Sequence, residues 1–130
     1  MSRSRSIYSN MLVRFKKLAH IDSLPFELGH LRTLLVQSLG QPCKYCTAKL
    51  TTTNMSVDHR NPFSRGGGLE FDNLDVICKS CNTIKGEMRS EEYLDLLSVL
   101  NSFEPSVASD ITGRLKAGAA VKRLRFLGKK

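Results

Sequence analysis

A chain of 130 residues with 41% hydrophobic and 25% charged residues has room for one compact domain, a core of about 60–80 residues with helical extensions, which excludes a fibrous or disordered chain. No apolar run is long enough for a membrane-spanning helix, and MSRSRSIYSNMLVRFKKLAH lacks the apolar stretch and small-residue cleavage site of a secretory leader. A soluble, cytoplasmic protein with no membrane partner is therefore expected. The net charge of +8 is split into +5 over residues 1–20, −4 over 21–110 and +7 over 111–130. Two basic flanks suit a module whose ends hold a phosphate backbone; the plainer reading is that basic termini only confer solubility.

In chain order, Ile7, Met11, Leu12, Phe15 and Leu18 recur at helical intervals opposite Arg14, Lys16 and Lys17, which predicts a basic amphipathic helix over 7–19. A break follows at Asp22, Ser23 and Pro25. A second helix is expected from Phe26 to Leu39, with a stripe of Leu28, Leu31, Leu34, Leu35 and Leu39 and a stop at Gly40. Both helices read as structural rather than chemical.

From Gln41 to Gly86 the pattern changes to short apolar runs, turn residues and cysteines. Met55 and Val57 alternate with Ser56 and Asp58, predicting a strand from Asn54 to His59. Residues 60–73 hold Pro62, three glycines and Asn73, a loop long enough to be functional. A second strand is expected over Leu74 to Ile77 and a short helix from Asn82. Ser90 reads as the N-cap of a helix from Glu91 to Asn101 whose Tyr93, Leu94, Leu97 and Leu100 share a face, with Pro105 closing it. The tail from Ser109 to Leu127 predicts a further basic helix, bent near Gly113 and Gly118.

The four cysteines form two pairs, Cys43-Lys-Tyr-Cys46 and Cys78-Lys-Ser-Cys81, 31 residues apart. Two residues between cysteines let a tight turn aim both sulfurs at one tetrahedral ion, and two such knuckles make a closed, structural Zn2+ site. With little aromatic content and no Trp, a thin core gains from such a staple. A redox dithiol is the competing reading; it requires one such pair and a βαβ pattern that is missing here.

Between the knuckles lie Asp58-His59 and Asn73, and directly after them Asn82. An imidazole beside a carboxylate at a strand end, facing a long loop, suits metal-assisted hydrolysis. His59 titrates near neutral pH, and Asp58 offers a hard oxygen for Mg2+ or Mn2+. Taken alone, an Asp-His pair also fits an ordinary surface turn. His20 and His30 fall outside this group and read as helix-surface or core residues.

The ordered string DHRNPFSRGGGLEFDNLDVICKSCNTIKG, with Asp-His, a Pro three residues on, the Gly pair, Asn-Leu and Cys-x-x-Cys-Asn-x-x-Lys-Gly, resembles the HNH endonuclease family in its four-cysteine branch. The resemblance covers about Cys43 to Gly86 and implies an α+β fold: a small zinc-stabilised ββα-metal core, treble-clef-like, flanked by N- and C-terminal helices. It divides the chain into a basic helical extension over 1–40, a nuclease core over 41–103 and a basic, partly helical tail over 104–130.

The resemblance further implies that His59 is the general base, that Asn73 ties the loop and orients that base, and that Asp58 and Asn82 bind the catalytic Mg2+ or Mn2+. Asn82 stands where many members have a second histidine, making this an HNN variant, and it is expected to open a helix whose N–H groups favour phosphate. Arg60, Arg65, Lys79 and Lys85 are the expected contacts to the nucleic-acid backbone. DNA is the expected partner, cut to 5′-phosphate and 3′-hydroxyl ends by a monomer or homodimer in a bacterial or phage-infected cell. A non-catalytic zinc-stabilised DNA-binding module, or a component of a phage DNA-packaging complex, is the alternative.

Overall fold

The computed structural model describes residues 2–128, with side chains for 3–118. The expected side chains of Lys122, Arg123 and Arg125, and Lys129 and Lys130 altogether, lie outside the described residues.

Helix α1 (Ser2–Ala19) begins five residues before the expected start, and Arg3 in its first turn donates to the carbonyls of Thr52 and Met55. Those contacts tie the helix to the central segment. Met11 and Phe15, four residues apart, are buried, whereas Leu18 of the expected stripe is exposed. Helix α2 (Leu28–Ser38) is capped at Glu27, whose N–H donates to His30 Nδ1 at 3.1 Å. His30 is thus a capping residue rather than a ligand. Leu31 and Leu35 of α2 have no exposed surface, and the chain leaves the helix through Gly40 at φ +80°, a left-handed turn that glycine takes without strain.

Strand β1 (Met55–His59) pairs antiparallel with β2 (Leu74–Cys78), in a register that sets Met55 opposite Cys78 and His59 opposite Leu74. This register places the second knuckle at one end of the sheet and His59 at the other. The connection, 60–73, contains 3-10 turns at Phe63–Arg65 and Phe71–Asn73. Gly67 is required in it: its N–H donates to Pro62 O at 2.9 Å, and a side chain there would collide with the Asn61 carbonyl.

Helix α3 (Lys79–Lys85) starts three residues earlier than expected, because the Cys78 sulfur caps it by accepting from Cys81 N–H. Asn82 therefore sits within the helix rather than opening it. Helix α4 (Ser90–Asn101) is capped by Arg89, whose N–H donates to Glu92 Oε1 at 2.8 Å. Ser90, expected as the cap, instead shares a buried 2.7 Å hydrogen bond with the Tyr45 hydroxyl. Tyr93 and Leu100 are buried, but Leu94 of the expected face is exposed.

Helix α5 (Pro105–Gly128) opens on Pro105 instead of being preceded by it as a stop, since proline suits a first turn whose N–H has no helical acceptor. It runs unbroken through Gly113 and Gly118, because a single glycine weakens a helix by only about 1 kcal/mol.

One apolar cluster joins these parts: Phe15 from α1, Leu31 and Leu35 from α2, Leu50, Met55 and Ile77 around the sheet, and Tyr93 from α4. The result is an α+β fold of five helices and a two-stranded antiparallel sheet among the described residues. None of the described helices is long and apolar enough to cross a membrane.

Candidate active site and metal centre

The first knuckle is shaped by a local β-bridge, Pro42 to Lys49, with Cys43 N–H donating to Ala48 O at 2.7 Å and Thr47 N–H to Cys43 O at 2.9 Å. Thr47 takes φ +66° to close this turn. The second knuckle is the junction of β2 and α3. Sheet register brings the two together, so that the four Sγ atoms lie within 4.8 Å of one another and Cys46 and Cys78 are 3.5 Å apart.

Tetrahedral zinc with bonds of about 2.3 Å requires sulfurs roughly 3.8 Å apart, so the quartet fits that ion and no pair is disulfide-bonded. Burial pushes the Cys43 thiol up, but backbone N–H groups of Cys78, Cys46 and Tyr45 outweigh it and bring its pKa down to about 7. That environment favours the thiolate a metal needs at Cys43, whereas burial pushes the Cys78 and Cys81 thiols up, so that a bound cation is needed to hold those two deprotonated. Behind it, the Tyr93 ring meets Tyr45 edge-on at 4.7 Å. The arrangement supports structural zinc.

At the other end of β1, Asp58 is buried, and Lys85 Nζ lies 2.9 Å from its Oδ2. Burial raises the Asp58 carboxyl above its ordinary range, and Lys85 works against that shift. Lys85 also donates to His59 O at 3.1 Å. It is almost wholly enclosed, which corrects its expected role as a contact to nucleic acid: the ammonium is consumed inside the protein.

His59 has its Nε2 buried without a hydrogen-bond partner, an unusual state for a buried polar atom outside a functional site. Burial, with the positive charges of Arg14 and Lys85, lowers its pKa to about 4, so the imidazole is neutral at physiological pH. The Phe15 ring meets it edge-on at 5.3 Å. The Asn82 amide nitrogen donates to Ser56 Oγ, which turns its carbonyl oxygen free for a ligand. A cleft of about 120 Å³ is lined by Asp58, His59 and Asn82 together, and by Ser64 and Glu87.

Asn73 acts on the loop rather than on the imidazole. Its Oδ1 accepts from Asn61 N–H at 3.0 Å, and its Nδ2 donates to Asn61 O at 2.9 Å and Gly68 O at 2.8 Å. Arg60 N–H donates to Asn73 O at 2.8 Å, so the residue after His59 is pinned as well.

Of the expected backbone contacts, Arg60 forms a salt bridge with Asp75 at 2.9 Å, and Arg65 with Glu92 at 3.1 Å; Lys79 is exposed on α3. Sequence reasoning missed Phe15, Arg14 and Ser56. The apolar period marked Phe15 as inward-facing but carried no sign of what it would face.

An antiparallel strand pair running into a helix, clamped by two Cys-x-x-Cys knuckles and carrying an Asp-His pair at the far sheet end, defines a small zinc-stabilised ββα module. Residues 43–87 match the HNH endonuclease family model, and the chain therefore carries an HNH endonuclease domain there, with the four cysteines of the family's zinc-binding branch. Such a domain implies a nuclease-type protein that binds or cleaves DNA. The comparison with curated proteins gave no match.

Proposed function

We propose that the protein is a metal-dependent endonuclease that hydrolyses DNA phosphodiester bonds to 5′-phosphate and 3′-hydroxyl ends. The observation that carries this reading is the convergence of Asp58, His59 and Asn82 on one cleft beside a knuckle pair fit for zinc.

The neutral His59 imidazole accepts a proton from water as that oxygen attacks phosphorus in line with the P–O3′ bond. The bond to O3′ breaks, and the departing oxygen leaves as a hydroxyl after taking a proton from solvent. Asp58 and Asn82 offer a carboxylate and an amide oxygen, the hard donors that hold Mg2+ or Mn2+. Such a cation, when bound, offsets the negative charge that builds on the phosphate and the leaving oxygen. Lys85 fixes Asp58, Ser56 fixes Asn82 and Asn73 fixes the loop, while the His59 ring is set by its edge-on packing against Phe15.

The test is conversion of supercoiled plasmid to nicked or linear form with Mg2+ or Mn2+. His59→Ala is expected to abolish it while zinc content and circular dichroism stay unchanged. Equal cutting by both proteins removes His59 from the chemistry; no cutting by either favours a binding module.

A further inference from the structure

We propose that α1, outside the matched family segment, supplies the phosphate-holding part of this nuclease site, with Arg14 binding a phosphodiester of the DNA in a cleft beside His59. The proposal rests on the reading of His59 as the base.

The 120 Å³ cleft opens beside a larger one of about 250 Å³, and Arg14, Phe15, Val57 and His59 line both. The larger cleft is walled on one side by positions 3, 7, 10, 11 and 14 of α1, one face of a helix, and on the other by Ser56, Val57 and His59 of β1. Its size suits a phosphodiester with part of a sugar, adjoining the one at the base.

Among the described residues, Arg14 is the cation that lines both clefts. Lys85 is enclosed with Asp58, Arg60 is held by Asp75, Arg65 by Glu92, and Arg3 by two backbone carbonyls. Arg14 is exposed, has no carboxylate partner among the described residues, and stands with its guanidinium carbon 5.2 Å from the Phe15 ring centre. An aromatic face steers a guanidinium while leaving its N–H fork free, and that fork matches two oxygens of a phosphate. Asn10, one helical turn before it on the same wall, adds a neutral donor. Residues 43–87 contribute no Lys or Arg to either cleft, so among the described residues the cationic side chains facing a phosphate there come from α1.

The experiment compares Arg14→Gln with Lys17→Gln in the full chain. Each removes one charge from α1, and Lys17 lines neither cleft. In plasmid nicking with Mg2+, Arg14→Gln is expected to lower kcat/KM by about 10–100-fold, the range for losing a charge-assisted hydrogen bond, with Arg14→Lys partly restoring it. Lys17→Gln is expected to stay within about twofold, as for an exposed charge. Equal losses in the two variants overturn the proposal.

A wild-type protein that fails to nick counts against the endonuclease reading alone, and a binding arm then decides the role of Arg14. Thymidine 3′,5′-bisphosphate titrated into the full chain is expected to shift the Arg14 Nε–H resonance and to bind about tenfold more weakly to Arg14→Gln. An unmoved resonance, or equal binding by the variant, overturns the proposal.

Discussion

Lys85 Nζ lies 2.9 Å from Asp58 Oδ2, and the two side chains are 0% and 7% exposed. A lysine that the motif order set among surface contacts is thus the internal counter-ion of Asp58, the neighbour of His59. Removing one member of a buried pair strands the other charge, at a cost of about 3–5 kcal/mol. Lys85→Met is expected to lower unfolding free energy by that order in urea denaturation. A variant of unchanged stability that instead loses salt dependence in DNA binding would restore the surface role.

The zinc knuckles carry the second expectation. Apparent binding energies for structural zinc in small modules run to about 10–16 kcal/mol, above the stability of an ordinary domain. Stripping the metal with a strong chelator, or Cys78→Ser, is expected to abolish the cooperative thermal transition, followed by circular dichroism with zinc quantified in parallel. A metal-free chain that still melts cooperatively would show that the apolar cluster holds the fold alone.

Protonation of His59 gives a pH dependence of definite sign. Its folded pKa of about 4 lies below its ordinary 6.5, so the unfolded chain takes up a proton in the interval that the folded site refuses. The contribution to stability is full above about pH 6.5 and is lost as pH falls toward 4. Wild type and His59→Gln, compared by denaturation at matched pH, are expected to converge in stability difference over this window. A difference independent of pH between 7 and 4 would mean that the imidazole is not buried as described.

Phe15 shields that imidazole. It is 1% exposed and also meets Phe63 edge-on at 5.5 Å, so Phe15→Ala removes a core ring at a cost of about 3–5 kcal/mol. Because burial is the first cause of the low His59 pKa, opening the site is expected to raise it toward 6.5, read by NMR titration of the ring protons. A titration midpoint still near 4 in Phe15→Ala would assign the shift to Arg14 and Lys85 instead.

The basic C-terminal stretch makes a separate claim. Replacing the seven cations of residues 111–130 with glutamine is expected to weaken DNA binding and flatten its dependence on salt, since fewer counterions are released. An unaltered slope would leave the tail a solubility device.

What the chain order alone determined is whatever local spacing encodes. Two residues between cysteines impose the knuckle turn, alternation over 55–58 imposes the strand, and a Gly-rich run after Asp-His imposes the loop, so the ββα module and its metal-binding sulfurs were legible residue by residue. Helix ends were less so: a cysteine sulfur capping α3 and the Tyr45–Ser90 bond at the start of α4 are tertiary contacts that outrank local capping preferences. Only the folded arrangement decided the partners of the charges. Whether a lysine meets solvent or a buried aspartate, and whether Arg14 on a distant helix shares a cleft with His59, depends on which surfaces the apolar cluster presses together. Asp58 and Lys85 are 27 positions apart and Phe15 and His59 are 44, and burial chose both pairs because a charge or ring removed from water takes the complement that packing brings to it.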